Sequence, residues 1–109
     1  AGDTHNCWAN NIYEGENFIG AELGTPSVTS PGASENFNGL IPNNLLENSM
    51  LMKNKNLKWT NLVDRGYLTI DFTKDIATAE FIAIDNILSK NYKTKVLKRI
   101  EIFPGEKLT

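Results

Sequence analysis

The chain has 109 residues, with eleven basic and thirteen acidic side chains and a formal net charge of −2. That length fits one domain or one piece of a larger one, and the acidic balance excludes the basic face that recognition of a phosphate backbone requires. The lone cysteine, Cys7, excludes an internal disulfide framework and a Cys-rich zinc module, and the lone histidine, His5, excludes an all-imidazole metal cage. A hydrophobic fraction of 40% suffices for a small core with a thin stability margin. The sequence shows neither a basic-then-apolar leader pattern nor an apolar run of membrane-spanning length. Its opening Ala-Gly-Asp-Thr-His, without methionine, reads as the start of a segment cut from something longer.

In chain order, AGDTHNCWANNI mixes tiny, polar and metal-capable side chains without periodicity. It reads as a loop that runs into a short helical turn through Cys7–Tyr13. Tyr13–Asn17, YEGEN, is a turn by its glycine and polar flanks, and Phe18–Leu23 is a short buried strand. Gly24–Gly39 is rich in Gly, Pro, Ser, Thr and Asn, and Pro26 and Pro31 forbid regular structure within it. A loop of that length in a small domain is functional or packed against a partner. Pro42 suits a first helical turn, so the principal helix is expected near Pro42–Lys53, with Leu45, Leu46, Met50 and Leu51 forming a core face. Trp59 and Thr60 form a further short strand.

The second half carries strand periodicity. Arg65–Thr73 alternates Leu68, Ile70 and Phe72 on one face with Tyr67, Thr69 and Asp71 on the other. Lys74-Asp75 is a turn, and Ala77–Asp85 returns as the second arm of an antiparallel hairpin. Either Ile82 and Ile84 or Ala79, Phe81 and Ala83 can supply its inner face. Thr94–Phe103 gives a last strand with Val96, Ile100 and Ile102 inward and Arg99 and Glu101 outward, stopped by Pro104-Gly105. The fold class is therefore α+β, mainly antiparallel strands with one principal helix. It divides into residues 1–17 (a loop), 18–39 (a strand and the Pro/Ser-rich loop), 40–56 (the helix) and 57–109 (the hairpin and further strand).

One cluster joins several groups capable of chemistry, Gly2-Asp3-Thr4-His5-Asn6. Two residues apart, Asp3 and His5 diverge on an extended chain and converge on a tight turn. A carboxylate with an imidazole suits a borderline divalent or trivalent metal; the alternative is a polar loop whose Asp3 caps a following helix. Cys7 is a small buried thiol rather than the partner of His5 in a nucleophile pair, which two-residue spacing rarely aligns. Ser27, Thr29 and Ser30 flank prolines and serve turn chemistry. Asp71, Asp75, Glu80 and Asp85 are solvated charges, and Arg65 forms a salt bridge or a carbonyl contact. No residue is assigned to proton transfer.

Three stretches together resemble the PhoD-like alkaline phosphatases, a branch of the calcineurin-like metallophosphoesterases. They are GDTHNCWANN (Gly2–Asn11), ELGTPSVTSPG (Glu22–Gly32) and RGYLTIDFTKDIATAEFIAID (Arg65–Asp85), which stand in the family's order near its C-terminal end. The resemblance implies the C-terminal part of a layered metallophosphoesterase fold, and a parent protein that hydrolyses phosphomonoesters or phosphodiesters. It implies that Asp3 and His5 belong to the last metal motif, Gly-Asp-x-His, with a carboxylate where relatives often carry an imidazole. The metals it implies are iron and calcium, which activate water, orient the phosphoryl oxygens and neutralise leaving-group charge. The second ring nitrogen of His5 should then meet a hydrogen-bond acceptor. Asn6 and Trp8 are site neighbours at the mouth, although a packed Trp8 is the simpler reading.

The remaining ligands of that family precede the position of Ala1, so this chain alone is expected to be inactive and to bind divalent metal weakly if at all. Further expectations are a phosphate-ester substrate, no nucleic-acid partner, and an extracytoplasmic location. Exposed apolar surface favours homo-oligomers or strand exchange through Phe18–Leu23 or the hairpin. A non-catalytic structural or interaction module is the competing reading. A coding frame that carries the missing motifs ahead of Ala1 separates the two.

Overall fold

The computed structural model describes residues 1–36 and 39–109. Their elements run β1 (Cys7–Glu14), β2 (Asn17–Gly24), α1 (Ala33–Asn36), α2 (Asn43–Lys53), β3 (Leu57–Asn61), β4 (Gly66–Phe72), β5 (Ala77–Ile84) and β6 (Thr94–Ile102). The strands form two three-stranded antiparallel sheets, ordered β2-β1-β3 and β4-β5-β6. The architecture is α+β and mainly antiparallel, as the periodicity implies. Of the long loop expected over Gly24–Gly39, Phe37 and Asn38 lie outside the described residues, and α1 interrupts the rest.

The stretch expected as loop and helical turn is instead the central strand of the first sheet. β1 pairs with β2 on one side and β3 on the other, so residues 1–17 are not a loop throughout. Cys7, Ala9 and Asn11 alternate inward and are buried. That alternation is carried by small and amide side chains, which lack the hydrophobic contrast of a recognisable strand. The YEGEN turn is the β1–β2 hairpin, in which Glu14 pairs with Asn17 around Gly15-Glu16. Gly15, with φ 60°, starts this two-residue loop as a type II′ turn requires.

Asn11 also anchors the C-terminal tail. Its Nδ2 donates to the Leu108 carbonyl oxygen at 2.9 Å, and its Oδ1 accepts from the Leu108 N–H at 2.8 Å. The amide thus gives the tail the pair of bonds that a paired strand would give it and holds Leu108 in the core. Asn11→Ala leaves two backbone groups without partners and is expected to cost about 2 kcal/mol. Urea denaturation reads that loss, and hydrogen exchange at the Leu108 amide should accelerate at the same time.

In the second sheet the inner face of β5 is Ala79, Phe81 and Ala83, all buried. Phe81 is fully buried and lies against Trp59 of β3, with ring centroids 4.7 Å apart. The two sheets therefore share one core of Cys7, Ala9, Leu23, Ala79, Phe81 and Leu108. On β4 only Leu68 reaches it; Ile70 and Phe72 share its face but are exposed, Phe72 at the hairpin tip lining an open cleft with Phe18–Ala21 of β2. The inward assignment of Val96 is corrected: it is exposed, and Leu97 packs on the core instead. A register shift pairs Phe81 with Lys98 and Ile82 with Val96, so Leu97 is the extra residue of a bulge that inverts the strand's parity.

The helix forms where Pro42 and the apolar spacing place it, but it supplies no core. None of its residues is buried, and Leu45 and Met52 are exposed. Its five apolar residues, Leu45, Leu46, Met50, Leu51 and Met52, surround the axis instead of forming one stripe. Its useful side chain is Glu47, whose Oε1 accepts from the Leu62 N–H at 2.9 Å just beyond β3.

Candidate functional site

Asp3 and His5 stand immediately before β1, and both are exposed. They are also the two non-glycine residues with positive φ among those described, at 71° and 58°. The Thr4 N–H donates to the Gly2 carbonyl oxygen at 2.8 Å, closing a three-residue γ-turn centred on Asp3. A γ-turn with positive φ is the rarer, strained hand. Residues held there cost about 1–3 kcal/mol each, so their surroundings must impose the conformation. The backbone here is therefore a tight turn rather than an extended chain.

Several contacts impose it. The Ala1 backbone nitrogen donates to the Leu23 carbonyl oxygen at 2.8 Å, and the Thr25 N–H donates to the Ala1 carbonyl oxygen at 2.8 Å. The half-buried Trp8, opposite Gly24 in the register, donates through Nε1 to Thr4 Oγ1 at 2.9 Å. Asn6 is buried and uses both ends of its amide: Nδ2 donates to the Thr4 carbonyl oxygen at 2.7 Å, while Oδ1 accepts from the Ala33 N–H at 2.9 Å. His5 Nδ1 lies 3.2 Å from the Pro31 carbonyl oxygen. Asn6 and Trp8 thus brace the turn through its backbone and the Thr4 hydroxyl.

Packing explains why Pro31 is followed by glycine. A Cβ at Gly32 would stand 2.8 Å from Asn6 Oδ1, 3.0 Å from the His5 carbonyl oxygen and 3.2 Å from that of Leu62. Only a residue without a side chain lets this loop approach the turn so closely. The loop is held from its other side by Arg65, whose Nε donates to the Ser30 carbonyl oxygen at 3.3 Å and whose Nη2 is 3.0 Å from Glu35 Oε1. The Gly66 N–H donates to the Ser27 carbonyl oxygen at 3.0 Å, and Ser27 Oγ accepts from the Thr29 and Ser30 N–H groups. The stretches singled out in the sequence therefore meet at one end of the molecule. Sequence reasoning assigned Ser27–Ser30 to turns, but missed the Pro31 carbonyl, Gly32 and the Ala33 N–H as partners of His5 and Asn6. The signal available was a Pro-Gly pair inside a loop too long to be a simple connector.

As donors, the Asp3 carboxylate and the His5 imidazole fit the metals that the resemblance implies. Among the described residues no group of three His, Cys, Asp or Glu side chains is placed to hold an ion. A catalytic ion generally takes three protein ligands, more than these two side chains could supply.

Cys7 takes no part in nucleophilic chemistry here. It is fully buried, and burial, followed by the negative charges of Asp64 and Glu47, pushes its thiol up to about 12. The folded chain keeps a proton that the unfolded chain releases above about pH 8.5. This contribution to stability is complete below that pH and is lost as pH rises toward 12, by up to about 1.4 kcal/mol per unit. Cys7→Ala removes it, so the stability gap between wild type and variant should narrow between pH 9 and 11 in paired urea titrations.

No curated protein matches the chain, and no solved structure does. The family model described as PhoD-like phosphatase matches residues 1–81, which take in the strained turn, the Pro-Gly loop and the hairpin as far as Phe81. The chain belongs to the PhoD-like phosphatase family.

Proposed function

We propose that the chain is the C-terminal portion of a metal-dependent phosphoesterase of the calcineurin-like superfamily, which hydrolyses phosphomonoesters or phosphodiesters outside the cytoplasm. The observation that carries this reading is the turn itself. Two potential ligands stand at positive φ on either side of Thr4, in a conformation held by hydrogen bonds with Leu23, Thr25, Asn6 and Trp8. Strain of this kind, maintained by its surroundings, is characteristic of functional sites. Family membership supplies the reaction class.

In this reading Asp3 and His5 hold metal, with iron and calcium as the ions by resemblance. When bound, the metal supplies Lewis acidity toward the phosphoryl oxygens and an activated water. The chain's own contribution is to fix the carboxylate and the imidazole on one turn, with Asn6 and Trp8 bracing Thr4 between them. Other ligands come from elsewhere in the intact protein, so the 109-residue chain by itself is inactive.

The test uses p-nitrophenyl phosphate and its bis-ester with iron and calcium supplied. A protein that carries this segment together with the segment ahead of it should turn over one of these esters. Asp3→Ala or His5→Ala should each lower the rate at least about 100-fold, since even the partners of metal ligands are worth 10–100-fold. Full activity in either variant, or appreciable turnover by the 109-residue chain alone, overturns the reading.

A further inference from the structure

His5 is exposed, so water competes for both of its ring nitrogens, yet one of them already has a protein partner. A carbonyl oxygen only accepts, so the 3.2 Å contact from Nδ1 to Pro31 is a hydrogen bond only if Nδ1 carries the proton. In a neutral imidazole the lone pair then resides on Nε2. The Pro31 carbonyl is itself held in place: Gly32 lies against the His5 carbonyl oxygen, and the Ala33 N–H is bound by Asn6 Oδ1. Through its other end Asn6 fixes Thr4, the residue before His5. One buried amide thus links the carbonyl of the residue before His5 to the loop that accepts the imidazole's hydrogen bond.

We propose that the Pro31 carbonyl and the Asn6 amide are positioning groups that hold His5 as its Nδ1–H tautomer and leave Nε2 as its metal-ligating nitrogen. The tautomer follows from the contact with Pro31; the use made of Nε2 rests on the reading of His5 as a ligand. Asn6 acts through backbone groups and does not itself touch the metal. Gly32 has the same role in negative form, because any side chain there separates the loop from the turn.

The chain has one histidine, so a long-range proton–nitrogen NMR spectrum of the labelled protein contains one imidazole and needs no assignment by mutation. At about pH 8, above the ordinary histidine range, the metal-free protein should show a protonated Nδ1 and a lone-pair Nε2. A dominant Nε2–H tautomer overturns the proposal. Asn6→Ala, and independently Gly32→Ala, should move both nitrogens toward the averaged shifts of a free imidazole. Asn11→Ala, which weakens the tail anchor instead, should leave them unchanged. Wild-type shifts in both of the first two variants, or an equal change in the third, would show that Asn6 and the loop do not position the ring.

Zinc alone is the probe for the second half of the proposal. It should shift Nε2 while Nδ1 keeps its proton, and coordination through Nδ1 overturns the assignment. In the protein that also carries the segment ahead of Ala1, a zinc titration that moves neither nitrogen of His5 removes its ligand reading. The tautomer is decided separately, by the metal-free spectrum.

Discussion

Phe81→Ala is expected to lower the unfolding free energy by about 3–5 kcal/mol, the range for deleting a buried aromatic ring. Phe81 has no exposed surface and joins β5 of one sheet to Trp59 of the other at 4.7 Å. The remaining core is thin: its other buried members are Cys7, Ala9, Leu23, Ala79 and Leu108. Three of those five are small, so they cannot collapse into the vacated volume, and Trp59 loses its tilted aromatic contact as well. A domain of this size has about 5–15 kcal/mol of total stability, so the variant stands close to unfolding. Thermal denaturation should show the midpoint falling by about 12 °C or more. A loss below about 1 kcal/mol would mean that the two sheets do not depend on this contact.

Gly66→Ala should cost about 3 kcal/mol, at the upper end of overpacking penalties. A Cβ there would stand 1.8 Å from the Ile82 carbonyl oxygen and 3.0 Å from the Ala83 Cα. These are backbone atoms of the paired strand and cannot move aside as a side-chain end does. Relief requires that β4 move away from β5, which disturbs the Gly66 N–H bond to Ser27 and the Ile84 N–H bond to Arg65. The Pro-Gly loop is tethered through those contacts, so the substitution weakens the brace on His5 as well as the hairpin. Gly20→Ala is the contrast: nothing lies within 4 Å of its added methyl group, and stability should change by less than about 0.5 kcal/mol. Urea titrations of the two variants, with hydrogen exchange along β4 and β5, measure both effects. Equal stability for the two would refute the steric account.

The hairpin was legible because its pattern is strong. Arg65–Thr73 and Ala77–Asp85 are β-rich runs of strand length separated by turn residues, and β4 and β5 pair in register from Gly66–Ala83 to Phe72–Ala77. The helix was legible from Pro42 and the recurring Leu and Met. β1 was not, because its inward residues are Cys7, Ala9 and Asn11 and its outward ones include Trp8 and Ile12, which inverts the usual contrast. Asn11 is buried only because a tail residue 97 positions away satisfies its amide. No local window of sequence contains that partner.

What the sequence determined by itself was local chemistry: the strands of the second sheet, the helix, and the presence of Asp3 and His5 in a motif that resembles the phosphatase pattern. The tertiary structure decided which face of β5 turns inward and that a bulge inverts β6. It also decided that Pro31, 26 residues beyond His5, supplies the acceptor for its ring. The division has a physical cause. Alternation and turn residues act through the backbone over a few positions, whereas face, partner and strain are set by atoms that meet only when the two sheets close on one core. Asp3 and His5 are readable as potential ligands anywhere. That both are held at positive φ follows from Asn6 and Trp8 binding Thr4 between them and from Gly32 letting the Pro31 loop close on His5.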